Sequence, residues 1–334
     1  MAVLSIITKS FDRLKLLVLI VVSLLLVVVC HPVKGQVTSL LSTSIADCRV
    51  IQHELGKTCV PLHPKRVVTL STMDLANALA LGNRPIATAS DFSEGKTPFP
   101  PYLYSQAQGI PTLGNSIEPN LEKILYLKPD LIYSWWGSNP KAINSLLTGI
   151  APTVVHNWEN FSWKEIVNLT AQLLGQEQAS QTAWQHYQTK IQNLKTALGD
   201  RYQGKKISFV YFYFGRIGTS VNNSFVGSIL KDVGLQRPPA QDRNIEPWGS
   251  TEFSLEELDQ VDGDVLFVAS FTEDDRKDLE QLQHNPLWQT LKAVQKKQVY
   301  FVSAVTWLWG SDLIGAEAVI DDLQKYLVTP DRAD

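Results

Sequence analysis

The chain has 334 residues, 44% of them hydrophobic and 19% charged, with 30 basic against 33 acidic side chains and three cysteines. This is ordinary globular material with room for about two domains. It lacks the clustered Lys and Arg that phosphate neutralisation needs, which argues against nucleic acid as a partner.

Residues 1–35 read as an address. Lys9, Arg13 and Lys15 precede an apolar run, Leu16 to Val29, broken only by Ser23. That length suits a secretory signal and is short for a membrane span. Two cuts stay open: after Gly35 in VKG, which satisfies the small-residue pattern, or ahead of Cys30 in VVVC, where a lipid would be attached although Val29 is large for such a site. An uncleaved anchor is a third reading. Beyond residue 35 the balance is 26 basic to 32 acidic side chains.

Residues 36–64 form a short extension containing DCRVIQHELGKTCVP. Cys48 and Cys59 flank a Leu55-Gly56 turn, and an oxidising compartment would let them join as a disulfide across a hairpin. The histidines, at 31, 53, 63, 156, 186 and 284, include no pair at ligand spacing, so no His/Cys metal site is expected.

A first lobe spans 65–174, opening with KRVVTLSTMDLANALALG: a strand, a helix and a glycine stop at Gly82. Pro129 should close the helix in NLEKILYLKPDLIYSWW ahead of a buried strand. From Glu177 to Leu198 the residues Tyr187, Ile191, Leu194 and Leu198 form one stripe without Gly or Pro, a helix of about 33 Å within a bridging segment 175–200. A second lobe, 201–334, opens with KKISFVYFYFGRIGTSVNNSFVGSILKDVGL, again strand then helix, stopping at Gly234.

The two lobes repeat each other. NLEKILYLKPDLIY lies over SLEELDQVDGDVLF with an offset of 134 residues, matching Leu121 with Leu255, Glu122 with Glu256, Ile124 with Leu258 and Asp130 with Asp264. So long a period excludes a solenoid and implies two similar α/β lobes. Strand and helix in alternation imply mostly parallel, covered sheets, whose ligands meet the carboxyl ends of strands. That rule points to Ser71-Thr72, Trp135, Trp136, Tyr213 to Arg216, Trp248 and Trp307 to Trp309.

PNLEKILYLKPDLI, the opening KRVVTLSTMDLANALALGNRPIA, the central helix and the tail VYFVSAVTWLWGSDLIGAEAVIDDLQKYL together resemble the periplasmic substrate-binding proteins of iron-siderophore and vitamin B12 ABC importers, over nearly all of the mature chain. The hairpin is most similar to that of cyanobacterial members. The resemblance implies two Rossmann-like lobes bridged by one rigid helix, the helical-backbone metal receptor type. It also implies a monomer in the periplasm, or one anchored through Cys30, that delivers a ferric siderophore to an inner-membrane permease dimer. No cofactor is implied, since the siderophore holds the iron. Glu122 and Glu256 would be one acidic docking peg per lobe, facing permease arginines. An aromatic wall of Trp135, Trp136, Tyr213, Trp248, Trp307 and Trp309, with Arg216 and Arg243 as cations, would receive the ligand.

Two alternatives stay open. Cobalamin or haem differs only in cargo. An exported α/β enzyme is a different class, although the chain has no Gly-x-Ser-x-Gly elbow, phosphate-cradling loop or metalloprotease helix.

Overall fold

The structure, a computed structural model, describes residues 48–90, 98–135, 141–157, 162–213, 216–246, 249–271 and 273–329. The expected signal, both expected cuts and Cys30 lie outside these residues.

The chain begins with the expected hairpin, β1 (Cys48–His53) against β2 (Gly56–Pro61), and Cys48 and Cys59 are joined in a disulfide. The Glu54 amide donates to the Val155 carbonyl at 3.1 Å and the Thr58 hydroxyl to the Thr153 carbonyl at 3.1 Å, so the hairpin is fastened to the outer strand of the first sheet. A hairpin with little core of its own depends on such ties. On the chain-entropy model, closing a loop with a sequence separation of 11 contributes about 3 kcal/mol. Cys48→Ser with Cys59→Ser is therefore expected to lower the urea-unfolding free energy by that order. A double variant equal to the parent under oxidising conditions would remove the hairpin from the stability account.

The first sheet runs β4-β3-β5-β6, all parallel: β3 (Val67–Thr69), β4 (Ala87–Thr88), β5 (Leu131–Trp135) and β6 (Thr153–His156). Apart from Trp135 every residue of these strands is buried, as a parallel sheet covered on both faces requires. The second sheet runs β11-β10-β7-β8-β9, from β7 (Ile207–Tyr213), β8 (Arg216–Ser220), β9 (Ser250–Phe253), β10 (Val265–Ser270) and β11 (Val299–Ser303). Here β7, β10 and β11 are parallel, whereas β8 and β9 are antiparallel. The single strand expected to open the second lobe is thus a hairpin. Gly218 of β8 faces Tyr211 of β7, and a Cβ at 218 would sit 2.2 Å from the tyrosine ring. The last glycine of GRIG therefore serves packing: it lets the Tyr211 ring lie across the neighbouring strand.

Both halves of the repeat take the same course. The helix Leu121–Leu127 is capped by Asn120 and ends at Lys128, which takes the left-handed conformation ahead of Pro129. Its counterpart Leu255–Val261 is a 3-10 helix with a Ser254/Glu257 capping box. Only Leu258 and Val261 are buried there, three residues apart, the spacing a three-residue turn provides. The matched aspartates do matched work. Asp130 accepts from the amides of Lys65 at 2.7 Å and Arg66 at 2.9 Å, while Asp264 accepts from the Lys206 amide at 2.9 Å. In each lobe the carboxylate before the middle strand ties down the chain entering the first. Burial pushes the Asp264 carboxyl up, but hydrogen bonds from Lys292 Nζ and the Lys206 amide outweigh it and bring it down to about 2.

The helix Glu177–Leu198 buries Tyr187, Ile191, Leu194 and Leu198 and touches the first-lobe helix Trp163–Leu174 as well as the second-lobe helices Phe225–Val233 and Leu313–Leu323. One hydrophobic cluster runs from Trp163 and Val167 through this stripe to Phe209, Ile229, Phe267, Trp307 and Val319. The core of the second lobe thus reaches across to the helix Trp163–Leu174, while the first sheet packs into clusters of its own.

Candidate ligand-binding cleft

A cavity of about 600 Å³ lies between the lobes. The first lobe supplies Met73, in the first turn of the helix behind β3, and Ser162, Trp163, Glu165 and Ile166, at the start of the helix behind β6. The second supplies an aromatic wall. Tyr213 ends β7, Phe271 follows β10, and Trp309 follows the short helix behind β11. Their rings touch in series: Phe271 is 5.3 Å from Tyr213 and 4.7 Å from Trp309. Contacts of this kind hold large rings in fixed orientations. Trp309 is 54% exposed and Tyr213 45%, so both present apolar surface to solvent. All three rings stand at or past the carboxyl ends of strands of the second sheet.

The expected residues divide. Tyr213, Trp307 and Trp309 line the cavity. Trp307, however, is fully buried between Phe209 at 5.3 Å and Phe267 at 4.8 Å, and its indole N–H donates to Asp322 at 2.8 Å. It is a core side chain that also forms part of the wall. Trp135 ends β5 opposite His156 and is not among the lining residues. Arg216 points elsewhere, in an ion pair with Glu252 at 2.6 Å, and Arg243 is exposed; neither lines the cavity. Trp136 and Trp248 lie outside the described residues. Glu122 and Glu256 are exposed at matching places in the repeat and do not line the cavity.

Trp163, Glu165, Glu246 and Phe271 also line the cavity and were not singled out in the sequence. For the first two a signal exists: Ser162-x-x-Glu165 forms a capping box, which marks a helix start behind a strand of a parallel sheet. Trp163 packs against Trp184, Tyr187 and Phe225 at 5.5–5.8 Å, and its indole N–H donates to Ser228 across the lobe boundary at 2.9 Å. Beside it Lys164 reaches Asp232 at 2.5 Å, a second tie between the lobes.

Behind the cavity, polar groups at the lobe boundary are buried. Asp312 caps the helix Leu313–Leu323, accepts from the Tyr102 hydroxyl at 2.9 Å and is wholly buried, while Asn77 accepts from the Leu313 amide. Burial pushes the Asp312 carboxyl up to about 7 despite the hydrogen bonds from Gly315 and Tyr102. A carboxyl raised above its ordinary value of 3.8 contributes stability that is complete below pH 3.8 and is lost as pH rises through about 7. Asp312→Asn can still cap the helix. It is expected to flatten the decline of the thermal midpoint between about pH 4 and 7. An unchanged decline would assign it to other groups.

Among the described residues no three His, Cys, Asp or Glu side chains converge on a point that could hold a metal ion, and no helix is long and apolar enough to cross a membrane.

Comparison with known proteins agrees with this architecture. A probable siderophore-binding lipoprotein of Bacillus subtilis, YfiY, is 28% identical over 325 residues, covering 95% of this chain and 98% of its own length. The achromobactin-binding periplasmic protein of Dickeya dadantii is 29% identical, covering 78% of this chain and 86% of its own. Among solved structures, SirA of Staphylococcus aureus complexed with staphyloferrin B superposes with a TM-score of 0.73 at 25% identity, covering 84% of this chain and 98% of its own. The family model described as periplasmic binding protein matches residues 67–306, which takes in both sheets and the helix between them. The chain belongs to the periplasmic binding protein family, in the class that these siderophore-binding relatives represent.

Proposed function

We propose that this chain is the substrate-binding component of an ABC importer, capturing a ferric siderophore in the periplasm and handing it to the inner-membrane permease. The observation that carries this reading is the aromatic-walled cavity between two lobes, without converging metal ligands among the described residues. A ferric siderophore arrives with its metal already filled by oxygen donors, so its receptor needs shape and apolar surface. A volume near 600 Å³ is in the range of small-molecule sites. The names of the relatives support the same cargo class. On this reading the chain is a monomeric carrier and not a catalyst, and needs no cofactor of its own.

Tyr213 and Trp309 are the proposed aromatic contacts, joined by Trp163 and Phe271. Trp135, Trp136, Arg216, Arg243 and Trp248 stay as further proposals for the rim. Glu122 and Glu256 are the proposed docking pegs, one on each lobe, and the lobes are divided as 65–174 and 201–334 around the bridge 175–200. Export by the N-terminal segment, with or without a lipid on Cys30, would place the chain where its relatives work.

The reading is tested by tryptophan-fluorescence titration of the mature chain with ferric siderophores, their iron-free forms, cobalamin and haem. Submicromolar binding of a ferric complex, at least tenfold tighter than of the rest, is expected. Tighter binding of cobalamin or haem would replace the cargo while keeping the carrier.

A further inference from the structure

We infer that Asp232, which does not line the cavity, is a positioning residue for cargo: it bolts together two helix starts, one from each lobe, that form part of the cavity wall. The inference rests on the cargo-binding reading above. The helix Trp163–Leu174 of the first lobe reaches the cavity with Trp163 and Ile166, and the helix Phe225–Val233 of the second reaches it with Phe225 and Val226. Each start is closed by its own serine cap, Ser162 or Ser224, so neither needs the other to be a helix. What joins them lies further along the second helix, where Ser228 and Asp232, four residues apart, share one face.

One carboxylate oxygen, Asp232 Oδ2, accepts from Lys164 Nζ at 2.5 Å and from the Tyr187 hydroxyl at 2.7 Å. The first-lobe helix, the bridging helix and the second-lobe helix therefore meet at a single atom. Lys164 Nζ also lies 5.6 Å from the Trp163 ring and 5.8 Å from the Tyr187 ring, where two aromatic faces attract it. Trp163 donates to Ser228 at 2.9 Å, and the Ser228 hydroxyl donates onward to the Phe225 carbonyl at 2.7 Å. The Tyr187 side chain is wholly buried, and burial together with the bond to Asp232 pushes its hydroxyl up, so it stays a donor. Lys164 and Asp232 are only partly exposed, and their attraction is screened less than that of a surface pair. A wall held at its working width before cargo arrives leaves less ordering to be done on binding, which strengthens affinity without adding a contact. Undoing the bolt should free the two helix starts, let a bound complex leave sooner and leave the rate of encounter as it was.

The test compares Asp232→Asn and Lys164→Met with the parent. Asparagine at 232 can still accept from Tyr187, and methionine at 164 keeps an apolar stem over the rings. Stopped-flow tryptophan fluorescence uses whichever of ferrichrome, ferrioxamine B, ferric citrate and ferric enterobactin binds the parent most tightly. Each variant should release the complex about tenfold faster, with its association rate unchanged within about twofold. The double variant should release it no faster than either single one within about twofold, because both substitutions remove the same contact. In the ligand-free chain, hydrogen exchange should quicken about tenfold over 163–174 and 225–233 and stay at the parent's rate in the β1–β2 hairpin. Losses that multiply in the double variant overturn the bolt. A variant that unfolds more readily in urea but releases cargo at the parent's rate overturns the positioning role and leaves a structural one. If none of the four complexes binds the parent, the ferric-siderophore reading falls by itself; the exchange measurement then decides the bolt, with the parent's rate over both helices overturning it.

Discussion

Replacing Trp163 with alanine is expected to cost about 3–5 kcal/mol of folding stability and to weaken ligand binding together, the first of these being the range for deleting a large buried aromatic. The residue stands where core and cleft meet. It belongs to the cluster that joins the second lobe to its own helix, is bonded to Ser228 of the second lobe, and lines the cavity. Removing it leaves a void among Trp184, Tyr187 and Phe225 and orphans the Ser228 hydroxyl as an acceptor. Trp163→Phe keeps most of the packing and loses the hydrogen bond, so a smaller cost of about 1–2 kcal/mol is expected. Urea unfolding measures both. A loss under 1 kcal/mol for the alanine variant would sink the idea that the lobes are held through this side chain.

Reversing both Glu122 and Glu256 to lysine is expected to abolish uptake through the cognate importer while leaving affinity for the ferric complex unchanged within about twofold, or roughly 0.4 kcal/mol. Neither side chain lines the cavity, and both are exposed on the matching first turns of the repeat, so the substitutions touch neither cargo nor core. If the permease presents one cation to each lobe, the double variant meets like charge twice. Single reversals should lie between. Transport at the parent's rate by the double variant would falsify the docking role.

Much of the architecture was legible before any coordinates, because it rests on patterns that local physics enforces. The stripe from Tyr187 to Leu198, the glycine stops at 82 and 234 and the Cys48–Cys59 hairpin each depend on residues close in sequence. The repeat also announces two lobes, although its matched aspartates owe their place to partners far off in sequence, since Asp130 and Asp264 hold the amides of the residues that lead into another strand. The β7–β8 hairpin escaped because YFYFGRIGTS has no strong two-residue turn signal, and its register depends on Tyr211 packing over Gly218. The cleft was legible by rule and not by residue. Strand ends pointed to Tyr213 and Trp309, but nothing in sequence tells a wall from a core tryptophan, and Trp307 proved to be both. Nor could it show that Arg216 would be spent on Glu252, since that partner lies on another strand, fixed only by the β8–β9 register.

The cluster that joins the second lobe to the helix Trp163–Leu174 bears on the tempo of the carrier. A receptor whose halves swing freely must wait for its closed form, and its apparent affinity is reduced by the fraction of time that form exists. Here a swing of the lobes would pull Trp163 from Phe225 and part Lys164 from Asp232, exposing buried apolar surface. The binding-competent shape is accordingly expected to be the resting shape, with a capture rate that rises linearly with ligand concentration in stopped-flow mixing and shows no plateau. The same stiffness leaves the importer little change of outline by which to tell a loaded carrier from an empty one. Its discrimination must then come from what fills the mouth of the cleft, so empty carriers should compete with loaded ones for the permease.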